Sequence, residues 1–107
     1  MSKYLFIETR DPFDSTDVKQ TWDLAVDLSK AGSEVAYFLV QNGVFATREG
    51  AKTPVLEGGN GITVYADDLS LRERGIAEGA LRSGVTVAGA DKLTDLIMED
   101  GRKPIWT

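Results

Sequence analysis

Asp67 and Ser70, three residues apart with Asp68 between them, place two carboxylates beside a hydroxyl. Paired carboxylates can hold a hard cation or divide acid and base roles, and a serine becomes a nucleophile when a base of suitable pKa lies beside it. Asp11, Asp14 and Asp17 form a second acidic group. The chain has no cysteine and no histidine. Thiol nucleophiles, disulfides, Cys/His zinc sites and imidazole acid/base catalysis are therefore excluded together. Carboxylates, hydroxyls, amines and guanidinium groups remain, and they call for no cofactor and no metal.

Each motif has a plainer role to set beside the chemical one. Both acidic groups stand where helices should start, and a carboxylate there is favoured by the free amides and the helix dipole, so capping is the simpler reading. Arg72, Glu73 and Arg74, with Arg82 nearby, could meet an anion, but a charge run on a short helix usually faces solvent. Gly58, Gly59 and Gly61 suggest a phosphate loop, yet they precede a strand and lack its lysine, so they read as a turn. Trp22 belongs to a helical apolar stripe and to the core. Trp106 stands in the last strand, where a partner could bury it, and is assigned to an interface.

The elements that must position these groups alternate. Lys3 to Thr9 and Glu34 to Gln41 hold continuous apolar runs of the kind that form strands buried on both faces. Between them Val18, Trp22, Ala25 and Val26 mark one face of a helix that reaches about Ala31 and stops at Gly32. Strand, helix, strand of this length implies a right-handed parallel crossover. Val44 to Leu56 reads as a short, imperfect helix interrupted by Gly50 and Pro54. Ile62 to Ala66 is a strand, and Asp67 to Arg74 a short helix capped by Asp67 with Leu69 and Leu71 partly buried. A further helical piece is expected over Ala77 to Arg82. A strand at Val85 to Ala88, a helix at Asp91 to Glu99 with Leu93, Leu96 and Ile97 inward, and a strand at Lys103 to Trp106 follow.

The expected architecture is α/β: a three-layer α/β/α domain over residues 1–107 with a mainly parallel sheet of about five strands. Residue composition agrees, with 42% hydrophobic and 27% charged residues, the balance of a globular chain. Acidic residues outnumber basic ones by 17 to 12 and the net charge is −5, with no basic cluster, so nucleic acid is not an expected partner. No apolar run approaches the roughly 20 residues needed to cross a bilayer, and no signal peptide opens the chain. No membrane and a cytoplasmic location are the expectations.

The segment Ala66-Asp67-Asp68-Leu69-Ser70-Leu71-Arg72-Glu73-Arg74-Gly75-Ile76 resembles the DsrE/DsrF-like family. Many members hold a cysteine, or a C-x-x-C pair followed by a leucine and an Arg-Gly-Ile ending, directly after the third strand. Leu71 and Arg74-Gly75-Ile76 match that pattern. Lys30-Ala31-Gly32, Phe38 to Val44 and Val85 to Gly89 extend the likeness over nearly the whole chain. Asp67 stands at the place of the first cysteine and Ser70 at that of the second. The resemblance implies a persulfide-carrying site whose position is kept and whose thiols are gone, and it implies assembly into trimers or hexamers with itself or with other DsrE/DsrF-like subunits.

The leading expectation is a non-catalytic, structural or partner-recognition subunit of a sulfur-relay type homo- or hetero-oligomer. The alternative is a small-ligand binding or sensing protein with a cleft at the strand ends lined by Thr9, Arg10, Asn42, Gly43, Asp67 and Ser70. An enzyme working through Asp67, Asp68 or Ser70 ranks last, because no suitable general base is evident, and no catalytic residue is assigned.

Overall fold

Five short runs containing β-branched or aromatic residues form one sheet: β1 (Lys3–Glu8), β2 (Glu34–Leu39), β3 (Thr63–Asp67), β4 (Val85–Ala88) and β5 (Arg102–Trp106). The structure is a computed structural model and describes residues 2–107. Helices α1 (Asp17–Lys30), α2 (Asp68–Glu73) and α3 (Ala90–Met98) lie between the strands, with 3₁₀ turns at Gln41–Thr47 and Glu78–Ala80. Across the sheet the order is β4-β3-β2-β1-β5, and every neighbouring pair is parallel. The expected α/β fold is therefore present, with a sheet that is parallel throughout.

Strand order decides which face each helix covers. The steps from β1 through β4 all run one way, and the step from β4 to β5 runs back past three strands. Right-handed crossovers then put α1 and α2 on one face and α3 on the other. On the first face Tyr37 stacks on Phe6 at 5.6 Å between ring centres and receives Trp22 edge-on at 4.9 Å. Val18 and Ala25 of α1 and Leu71 of α2 close this core. On the second face Leu5, Ile7, Ala36 and Phe38 are buried with Leu96, and Leu93 and Ile97 pack against them, as the periodicity of α3 requires.

Several local expectations are corrected. The irregular segment after β2 turns earlier than Val44: a 3₁₀ turn begins at Gln41 and ends at Thr47, whose hydroxyl donates to the Val44 carbonyl at 2.6 Å. The piece expected over Ala77 to Arg82 is reduced to Glu78–Ala80. Leu69 is 56% exposed, whereas Leu71 is 2% exposed. Two residues span about 200° of helix, so a six-residue helix seated on one side cannot bury both. Nor does the Asp11, Asp14 and Asp17 group cap α1: the Asp11 carboxylate accepts from the Phe13 amide at 2.9 Å, and Thr16 at the cap position makes no side-chain cap bond.

At the opposite end of the sheet, charge ties β5 to its neighbours. The Arg102 guanidinium, with a side chain only 5% exposed, donates to Glu99 at 2.8 Å, Glu34 at 3.3 Å and the Tyr4 carbonyl at 3.0 Å. Lys3 reaches the same Glu99 carboxylate at 2.9 Å. Hydrogen bonds from Lys3 and then Arg102 hold the Glu99 carboxyl down from 4.5 to about 2. A carboxyl whose folded pKa is depressed stabilises the fold above its unfolded pKa and ceases to as it protonates. This contribution should therefore be complete above about pH 4.5 and fade as pH falls toward about 2. Thermal unfolding across that range should fall less steeply with pH in Glu99→Gln than in the wild type. Identical pH slopes would refute the assignment.

Candidate functional site

The junction between β3 and α2 is closed by its own side chains. Asp67 keeps extended backbone and caps α2, its Oδ2 accepting from the Ser70 amide at 3.0 Å. The same oxygen accepts the Ser70 hydroxyl proton at 2.6 Å. Ser70 Oγ in turn accepts from the backbone amide of Gln41 at 2.8 Å, across from the end of β2. Gln41 holds a left-handed φ of 51°, uncommon for a residue with a side chain. Ser70 is thus buried, with its proton committed to Asp67 and its oxygen to Gln41.

Asp67, Ser70 and Gln41 share the wall of an open groove of about 570 Å³ with Val40, Leu69 and Gly89. It lies at the carboxyl ends of β2, β3 and β4, where ligands of open parallel sheets commonly bind. Its wall is mixed, with Val40, Leu69 and Leu93 apolar and Asp67, Asp68, Arg72 and Glu73 charged. Among the described residues, no group of three or more histidine, cysteine, aspartate or glutamate side chains is placed to hold a metal ion.

The other expected cleft residues go elsewhere. Arg10 turns to the buried Glu8 carboxylate, donating from its amide at 3.1 Å, from Nε at 3.2 Å and from Nη2 at 3.4 Å. Its Nη2 also reaches Thr21 of α1 at 3.2 Å. Thr9 donates to the Thr107 carbonyl at 3.0 Å, on the β5 side. Asn42 accepts from Arg74 Nε at 3.1 Å. Gly43 has no room for a side chain, since a Cβ there would overlap the Glu8 carbonyl oxygen. Asp67 and Ser70 alone of the six line the groove. Trp106, assigned to an interface, is 64% exposed on β5, an edge strand.

Gln41 and Glu8 were missed from the sequence. Glu8 has a signal there: in a strand, Tyr4, Phe6 and Glu8 share a face, and Phe6 is core. The hydroxyl of Tyr37 is buried as well and, among the described residues, has no hydrogen-bond partner. Burial, and then the Glu8 charge beside it, push its pKa upward. Gln41 acts through its backbone amide and leaves no mark in the sequence.

No family model and no curated protein matches the chain. Solved structures do, two of them as follows. The ychN protein from E. coli superposes with a TM-score of 0.81 at 20% identity, over 98% of this chain and 100% of that one. The chain shares that fold. A protein of unknown function, MTH1491 from Methanobacterium thermoautotrophicum, superposes with a TM-score of 0.76 at 19% identity, over the full length of both chains. At such identity the likeness concerns the path of the backbone, and side-chain roles rest on the contacts described above.

Asp67→Ala should cost about 1 kcal/mol, the usual loss for a capping carboxylate, when measured by urea unfolding. An unchanged midpoint would remove Asp67 from its structural role. Arg10→Ala leaves Glu8 buried without its counter-charge and should cost roughly 3 kcal/mol, the low end for breaking a buried pair because Arg10 is 33% exposed. In a Glu8→Gln background the same change should cost markedly less. Equal losses in both backgrounds would show that the pair is not what makes Arg10 necessary.

Proposed function

We propose that the chain is a non-catalytic subunit of an intracellular sulfur-relay type assembly, a DsrE/DsrF-like protein that serves structure or partner recognition. The observation that carries this reading is the mutual saturation of Asp67, Ser70 and the Gln41 amide at the β3–α2 junction. In the resembled family this junction holds the sulfur-carrying thiol. Here the corresponding groups are spent on each other, so the backbone of a carrier site is retained without its nucleophile. The Arg74-Gly75-Ile76 ending and a backbone like that of the ychN protein support the same reading.

Assembly with itself or with related subunits is part of the proposal. Trp106 supports it: a large aromatic at the edge of a sheet is the kind of side chain that a partner buries. Sedimentation at micromolar concentration should find the protein as a trimer or hexamer, and Trp106→Ala should shift it toward smaller species, since losing a buried aromatic anchor commonly costs about 2 kcal/mol or more. A monomeric wild type would sink the assembly claim, and an unshifted variant would remove Trp106 from the interface. For the carrier site, Asp67→Cys incubated with a persulfide donor should gain sulfur in intact mass spectra. A variant that gains none, with its thiol accessible to a small alkylating reagent, would break the correspondence with the family's cysteine.

A second reading, small-ligand binding, is favoured by the volume of the groove beside Asp67 and by the exposed Gln41 side chain. A small compound retained through purification and seen in native mass spectra would favour it over a subunit without a ligand.

A further inference from the structure

The two glycine-bearing loops at the amino ends of β3 and β4 meet around a cavity of about 210 Å³. It lies at the opposite end of these strands from the groove at Asp67, and nothing in the proposed function uses it. One wall is Gly58, Gly59 and Asn60; the other is Arg82, Ser83 and Gly84. We infer that this cavity is a binding site for a small phosphate-class oxyanion, with Arg82 as its charged ligand.

Charge makes the first argument. The protein carries a net charge of −5, yet among the described residues Arg82 is the one charged residue that lines the cavity. Among the described residues no carboxylate lies within ion-pair distance of its guanidinium; the same holds for Arg48, which lies over the Phe13 and Phe45 rings, whereas Arg10, Arg72, Arg74 and Arg102 each have one. Arg82 is half-buried, and the hydrogen bond described for its side chain runs from Nη1 to the Val55 carbonyl at 3.3 Å. That bond fixes the guanidinium and leaves most of its five N–H donors free, in the planar fork that suits phosphate oxygens. A half-buried guanidinium without a counter-charge is costly to the fold unless an anion or water completes it.

The loops supply neutral donors. Among the described residues, the backbone N–H groups of Gly58 and Asn60 and the Ser83 hydroxyl donate no hydrogen bond. Turns of this kind, with glycine at left-handed φ as at Gly58 (71°) and Gly84 (90°), are the backbone conformations from which anion-binding concavities are built. The wall is also firmly held. Trp22 Nε1 donates to the Glu57 carbonyl at 2.8 Å, and a Cβ at Gly59 would overlap the indole ring, so loop and helix fit only with glycine there. A volume of 210 Å³ lies below the roughly 300 Å³ at which pockets begin to hold drug-sized ligands, which limits the occupant to a free oxyanion or a small phosphomonoester. A Walker-type loop is not involved, because the glycines lead into a strand and no lysine lines the cavity.

Trp22 forms part of the cavity wall and reports on it. In Trp106→Phe, where Trp22 is the remaining tryptophan of the two, inorganic phosphate should change the emission saturably at millimolar concentration, while chloride at equal ionic strength should not. Arg82→Gln should weaken binding about tenfold or more, the loss expected for a charge-assisted hydrogen bond. Arg82→Lys and Ser83→Ala should each weaken it less. Circular dichroism checks that each variant is folded, and if Arg82→Gln is not, the lysine and alanine variants carry the test. Glycerol phosphate run in parallel separates the sources: tighter binding than phosphate assigns a phosphomonoester, and equal or weaker binding assigns the free ion. A response that does not saturate, is matched by chloride, or persists unchanged in the folded Arg82 and Ser83 variants would overturn the site.

Discussion

The burial of one carboxylate governs how the carboxyl end of this sheet is built. Glu8 closes a central strand and is fully buried, a position at which an uncompensated charge would cost several kcal/mol. Arg10 supplies compensation from three nitrogens, and through Thr21 it ties the loop after β1 to α1. The main chain of Glu8 is equally engaged. Its carbonyl accepts from Val40 at 2.9 Å and sits where a side chain on Gly43 would be. The departure of the chain from β2, the tight turn beginning at Gln41, and hence the amide offered to Ser70, all depend on a backbone placed by Glu8 and its partner. The arginine that looks from the sequence like a ligand group is a structural counter-ion for this reason.

What the sequence discloses and what it hides separate along physical lines. Continuous apolar runs fix β1 and β2, a stripe at Val18, Trp22 and Ala25 fixes α1, and a stripe at Leu93, Leu96 and Ile97 fixes α3, because burial leaves a periodic trace. The Asp67 cap is also readable, since capping is a local contract between a side chain and an amide three residues away. Contacts without a local trace were beyond reach. The Gln41 amide meets Ser70 across 29 positions, and Arg74 meets Asn42 across 32. The cleft imagined from strand ends assumed that every residue there faces the opening, whereas Arg10, Thr9 and Asn42 each found a nearer protein partner.

The two ends of the sheet have opposite polar economies. At the carboxyl ends of β2 and β3, the Asp67 carboxylate, the Ser70 hydroxyl and the Gln41 amide bond to one another in the wall of a mixed groove. At the amino ends of β3 and β4, Arg82 has one side-chain hydrogen bond, to the Val55 carbonyl, and most of its donors are left over. The likeness to the ychN protein concerns the backbone path and assigns a role to neither end.

The strand order also sets a schedule for synthesis. β1 needs two neighbours, and one of them, β5, is made last of the five strands, so the pairing of Ile7 with Trp106 joins residues 99 positions apart in sequence. At a translation rate of roughly 5 to 20 residues per second, a nascent chain carries β1 for several seconds or more before β5 exists. During that interval Leu5 and Ile7 lack the cover of α3, and the outer edge of β1 offers unpaired amides to any strand that passes. The ribosome-bound chain is accordingly more vulnerable at its oldest strand than at its newest.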